Sequence, residues 1–239
     1  MLSALVESSL NLVFPPTCLG CGDRIHSPDN RLFLCGPCET KIDRIGGAIC
    51  QRCGAPTESA QVQKCKRCPT FESFYMASRS ATVYSTPIRE LIHEFKFKGS
   101  RRVRPLLCDL FVRGADRHLE SKDFDLIVPV PLHWWRQFRR EFNQAEILGE
   151  SLSESWGIPL VLNSVRRVRM TPPQSGLSGR WRERNIQGAF QPGALGLAGA
   201  RALLVDDVMT TGRTLAACSS ALLKAGAMSV VGYTLSRRL

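Results

Sequence analysis

Two sets of residues in this 239-residue chain have the types and spacing of binding sites: eight cysteines in four C-x-x-C pairs, and two adjacent aspartates ahead of a threonine–glycine loop. The pairs are Cys18/Cys21, Cys35/Cys38, Cys50/Cys53 and Cys65/Cys68, arranged as two similar units, CLGCG with CGPC and CQRCG with CKRC. A C-x-x-C turn curls two thiolates toward one cation. Two such turns close a four-sulfur tetrahedron with no open position, which is the geometry of structural zinc. The expectation is two zinc ions, with sequential ligation preferred over crossed. Gly22 and Gly54 follow the second sulfur of each unit's first pair, where a tight turn can need positive φ. A redox dithiol is the competing reading, but it would normally occur once, beside a βαβ pattern. A module this small has too little core to fold alone, so the metal would supply its folding energy. Cys108 and Cys218 sit in apolar helical patterns and read as packed thiols.

The second set lies in ARALLVDDVMTTGRT, residues 200–214. Ala202 to Val205 is a short apolar run, as in a strand buried on both faces. Leu215, Cys218, Leu222 and Ala225 follow at helical spacing, and Gly226 can end that helix. Ligands of an open parallel sheet bind beyond the carboxyl ends of its strands. Asp206 and Asp207 are acceptors for vicinal sugar hydroxyls. Residues 209–214 (Met209, Thr210, Thr211, Gly212, Arg213, Thr214) bring amides and hydroxyls to the positive end of a helix, a cradle for phosphate. Two neighbouring carboxylates repel each other without a ligand or metal. The alternative is a helix N-cap beside a solvated acid.

Basic residues surround this region. Residues 124–131 read as a second buried strand ending in a proline-bounded turn. A helix from Arg136 onward would bury Phe138, Phe142, Ala145, Leu148, Leu152 and Trp156, leaving Arg136, Arg140 and Asn143 on the other side. Those arginines either fork onto phosphate oxygens or form a solvated face. Pro87 can open a helix with Ile88, Leu91, Ile92 and Phe95 inward. It leads into Lys96, Lys98, Arg101, Arg102 and Arg104, which either close over an anionic ligand or meet a polyanionic partner. Six arginines between Arg166 and Arg184, interrupted by prolines and glycines, suggest a loop that covers the site.

These sites need an α/β domain with a mostly parallel central sheet and flanking helices over 73–239, preceded by a small zinc module over 15–72 and a docking helix over 1–14. Hydrophobic residues make up 44% and charged residues 22% of the chain, which is ordinary for a globular protein. No run of 18 apolar residues is present, so no membrane span is expected. The N-terminal stretch carries Glu7 and no basic flank, unlike a secretory signal. With the cysteines in metal-type spacing, a reducing, cytoplasmic setting is expected. The net charge of +11 is uneven: residues 1–80 carry 9 basic and 7 acidic side chains, and 81–239 carry 23 and 14. Such a field draws nucleic acid or phosphorylated small molecules, and composition does not choose between them.

ARALLVDDVMTTGRT is similar to the phosphoribosyl pyrophosphate signature of type I phosphoribosyltransferases. Together with the C-x-x-C pairs, FKFKGSRR, LIVPVPLHWWRQFRREFNQAE and RWRERNIQGAF, it makes the chain resemble the ComF/GntX family. That family joins a double zinc ribbon to a phosphoribosyltransferase-like domain and is associated with DNA uptake in natural competence. The resemblance implies that Asp206 and Asp207 hold the ribose hydroxyls and residues 209–214 the 5-phosphate. It implies a pyrophosphate loop at Pro131, Leu132 and His133. The implied activity is Mg-dependent phosphoribosyl transfer. A non-catalytic adaptor that senses a phosphoribosyl ligand and binds single-stranded DNA, or a DNA-uptake or recombination protein, is the alternative.

Overall fold

Apolar runs alternating with amphipathic stretches build strands and helices in turn. The computed structural model describes residues 17–25, 34–59, 65–66, 68, 77–97, 102–132, 142–169 and 188–239. In chain order the elements are α1 (Gly36–Thr40), β1 (Ala77–Val83), α2 (Ile88–Phe97), α3 (Arg104–His118), β2 (Leu126–Pro129), α4 (Gln144–Trp156), β3 (Val165–Arg167), β4 (Phe190–Pro192), β5 (Arg201–Met209), α5 (Arg213–Lys224) and β6 (Ser229–Arg237). Strands β1, β6, β5 and β2 lie in that order in one sheet, and every pairing is parallel. β3 and β4 form a separate antiparallel ribbon.

The sheet is covered on both faces, which is why its strands read as near-continuous apolar runs. Leu203 and Val205 of β5 pack with Leu107 and Phe111 of α3 and with Leu148 and Leu152 of α4. Ala202 and Leu204 point the other way, onto Leu215, Cys218 and Leu222 of α5. Helix α2 buries Ile88, Leu91, Ile92 and Phe95, as its spacing predicts.

Adjacent strands β2 and β5 send their chains to opposite faces. The segment after β2 leads to α4, and the loop after β5 leads to α5. That divergence makes the carboxyl edge between β2 and β5 the topological switch point of the sheet, where a ligand crevice is expected.

The cysteine module wraps the outer edge of β1. Ile45 N donates to Ala81 O at 2.9 Å and Val83 N donates to Asp43 O at 2.8 Å, so the segment 43–45 pairs antiparallel with the strand. His118 Nε2 lies 2.9 Å from Ile45 O and ties α3 to the same segment. A sheet edge left unpaired would be a template for aggregation, and here the module closes it. Cys18 and Cys38 join the core on the α3 side, while Cys50, Cys53 and Cys68 join the core on the α5 side.

Two expectations change. Asn143, expected inside a helix running from Arg136, is instead the N-cap of α4: it is extended (φ −103°, ψ 119°) and its side chain accepts from Ala145 N, while residues 133–141 lie outside the described residues. Strand β5 does not stop at Val205. It runs through both aspartates to Met209 because β6 continues to pair with it. The helix expected over 1–14 and the boundary near residue 72 lie outside the described residues.

Candidate ligand crevice and metal centres

The cysteines gather as Cys18, Cys21, Cys35 and Cys38, and as Cys50, Cys53, Cys65 and Cys68; within each group all sulfurs lie within 4.8 Å of one another. Tetrahedral zinc with Zn–S near 2.3 Å sets sulfurs about 3.8 Å apart. The observed spacings fit: 3.8 Å for Cys21–Cys35, 3.5 Å for Cys50–Cys68 and Cys53–Cys65, and 3.7 Å for Cys65–Cys68. Both are four-sulfur sites for structural zinc, with sequential ligation. Gly22 and Gly54 have φ of +82° and +66°. At Gly54 a Cβ would also stand 2.5 Å from Ser78 O, so the turn is pressed onto β1.

One sulfur in each centre is prepared to ionise. Burial pushes the Cys18 thiol up, but the amides of Cys35, Cys21 and Gly20 outweigh it and hold the group at about 6. For Cys50, burial is likewise outweighed by amides of Cys53, Cys65 and Arg52, again leaving about 6. A thiolate at neutral pH is the form that captures a metal.

In the crevice, Asp206 and Asp207 occupy successive positions of β5, so they leave the strand on opposite faces. Asp206 faces α5, where Cys218 and Arg167 feel its charge. Asp207 faces α2, and its Oδ2 lies 2.5 Å from Lys96 Nζ. Asp207 N donates to Asp206 Oδ1 at 2.8 Å. Part of Asp206 reaches solvent, yet protein packs round its carboxyl. Burial pushes it up and the charge of Asp207 adds to this, while the Asp207 amide, Lys96 and Arg167 pull it down, leaving about 7. Neither aspartate caps α5. The N-cap is Gly212, at φ +71° and without a side-chain cap. The positive end of this 12-residue helix therefore follows directly on the loop after β5.

The structure brings Asp206, Asp207, Lys96 and residues 209–214 to one edge. Val130 N donates to Val205 O at 2.9 Å, which sets Pro131 and Leu132 beside the acid pair. Met209 contributes main chain only, since its side chain is 2% exposed in the α5-side core. Asn143 is not on an arginine-bearing helix face. It is buried, with Nδ2 donating to Val130 O at 3.1 Å and to Glu146 Oε1 at 3.0 Å, so it fixes the segment after β2 from behind. His133, Arg136, Arg140 and Lys98 lie outside the described residues. Sequence reasoning missed Arg167, which acts on Asp206 from β3, and Arg79 and Arg237, which lie against the second metal centre. Arg167 was visible only as one of a run of arginines, and the other two carry no spacing signal.

A family model described as a double zinc ribbon domain matches residues 9–69. Over 228 residues the chain is 34% identical to competence protein F of Haemophilus influenzae, covering 92% of this chain and 96% of that protein. The chain belongs to the ComF family. Another relative of this ComF-family chain is the DNA utilization protein YhgH of Escherichia coli K12, 33% identical over 86% of this chain and 91% of that protein. Among solved structures, an orotate phosphoribosyltransferase from Aeropyrum pernix is similar at 19% identity and a TM-score of 0.36, over 66% of this chain and 67% of that one. The ComF chain itself has a parallel central sheet with flanking helices and a double zinc ribbon with two four-cysteine sites. No described helix is long and apolar enough to cross a membrane.

Proposed function

We propose that this ComF-family protein binds phosphoribosyl pyrophosphate, or a related phosphorylated ribose, at the β2/β5 crevice and transfers the phosphoribosyl group. One observation carries the reading: an acid pair near the carboxyl end of β5 is followed, five residues on, by a positive-φ glycine that starts α5. The amides of 210–214 would hold the 5-phosphate, and Asp206 and Asp207 the ribose hydroxyls. The segment from Pro131 and Leu132, with Lys96, would face the pyrophosphate. Mg²⁺ arriving with the ligand would neutralise the leaving group. The carboxylates favour positive charge developing at the anomeric carbon as pyrophosphate departs and a nucleophile attacks. Calorimetry with phosphoribosyl pyrophosphate and Mg²⁺ tests the site: Asp206→Ala and Asp207→Ala should abolish binding, and unchanged affinity rejects it. Pyrophosphate release across a panel of nucleobases and amines tests transfer.

The names of the relatives support a role in competence and DNA utilization. The excess of basic residues over 81–239 favours a second reading, an adaptor that binds single-stranded DNA or a DNA-processing protein while sensing the phosphoribosyl ligand. Single-strand binding that falls steeply with salt, without pyrophosphate release, would select it. A cytoplasmic setting is supported by the two four-sulfur metal sites, whose cysteines must stay reduced to bind.

A further inference from the structure

The two metal centres differ in how their charge is met. Four thiolates around one zinc dication carry a net charge of about −2, which is costly to bury without compensation. In the first centre Cys21 is exposed, and the charged side chain beside it is an acid, with Cys21 Sγ 3.2 Å from Asp23 Oδ2. In the second, Cys50, Cys53 and Cys68 are each 0% exposed. Arg237, at the end of β6, is 2% exposed, and no carboxylate pairs with it among the described residues. Its guanidinium donates to Cys53 O and places Nη2 3.9 Å from Cys53 Sγ. Arg79 likewise has no carboxylate partner among the described residues; its Nη1 donates to Gln51 O at 2.8 Å. Ser78 completes the seat, with its N donating to Arg52 O at 2.9 Å and its Oγ to Cys53 O at 3.2 Å.

A buried arginine with no acid needs a counter-charge, and the tetrathiolate is the one within reach. We infer that Arg237, assisted by Arg79, is the positioning residue of the second zinc centre. It neutralises the thiolates and joins the metal to the carboxyl edge of the sheet. The same residue stands in register with Met209, and Arg238 N donates to Met209 O at 2.9 Å. Metal in the second centre therefore holds the strand ends from which the loop 210–212 springs, whichever anion that loop takes. The first centre has no such link among the described residues and exchanges its metal more readily.

The test uses the full chain loaded with zinc. Release to a chromogenic chelator should occur in a fast phase, removed by Cys21→Ser, and a slow phase. Arg237→Met should accelerate the slow phase at least about tenfold, as loss of a metal's outer partner does, and Arg237→Lys should restore part of the difference. In cobalt-substituted protein the thiolate-to-metal band of the slow centre should shift in Arg237→Met and not in Arg113→Gln, a surface control. Amide exchange over 210–213 should rise in Arg237→Met with the metal still bound. Arg79→Gln, at a partly exposed side chain, carries the release test if Arg237→Met does not fold. Slow-phase kinetics equal to wild type, an unshifted band, or unchanged exchange over 210–213 would each overturn the inference.

Discussion

Lys96 Nζ lies 2.5 Å from Asp207 Oδ2, so an α2 ammonium already occupies a carboxylate proposed to hold a sugar. Both side chains are mostly buried, with 24% and 11% exposed. The contact links the amphipathic helix that carries the lysine to the strand that carries the acid, and it presents positive charge at the crevice.

Lys96→Met should therefore act twice. Removing one partner of a shielded pair strands the other charge, so the unliganded protein should lose on the order of 1–3 kcal/mol. Affinity for phosphoribosyl pyrophosphate should fall by about tenfold, equivalent to about 1.4 kcal/mol. Urea denaturation reads the first and calorimetry the second. Wild-type values in both would remove Lys96 from the site.

Asp206 sets a pH dependence. Its carboxyl is raised from the ordinary carboxylate value to about 7, chiefly by burial. Between those values the folded chain binds more protons than the unfolded one, so stability from this group is present in acid and is lost as pH rises through about 7. Asp206→Asn should melt above wild type near pH 8.5, with the difference shrinking steadily toward zero as pH falls to the ordinary carboxylate range, and with about 2–4 °C for each kcal/mol recovered. Binding should be lost in the same variant, the usual exchange of stability against a functional charge.

Metal removal should reach the central sheet. Ser78 N donates to Arg52 O and Val83 N to Asp43 O, so β1 depends on the module for its edge bonds. Chelation under reducing conditions should strip exchange protection from the Ser78 and Val83 amides before the β5 amides, as the least stable unit opens first. Hydrogen exchange resolved to those residues checks it.

Asn143→Ala should cost about 1–2 kcal/mol through loss of the α4 cap. It also unsatisfies Val130 O, which sits just before Pro131. Asn143→Asp keeps the acceptor for Ala145 N but not the donor to Val130 O. Comparing the two by denaturant midpoint separates capping from support of the crevice.

The two metal centres were legible in the sequence because their ligands are close in the chain, four sulfurs within about twenty residues for each ion. The strand–loop–helix order around 209–214 was legible for the same reason: strand, acids, glycine and helix are consecutive in the chain. Asn143 was misread because a 3.6-residue period extrapolates through a cap. Asn and Gln at 143 and 144 fit a helix face as well as they fit its start, and only the carbonyl of Val130 decides between them.

By itself the sequence determined the two four-sulfur centres and the order of strand, acids, glycine and helix over 201–224. Short-range spacing alone fixes a tetrathiolate and the local order on which the proposed phosphate cradle rests. The tertiary structure decided which charges meet: Lys96 with Asp207 across 111 positions, and Arg237 with Cys53 across 184. Those pairings depend on parallel strands that bring distant segments to one sheet edge and on burial that makes an unpaired charge intolerable. Neither leaves a local pattern in the chain.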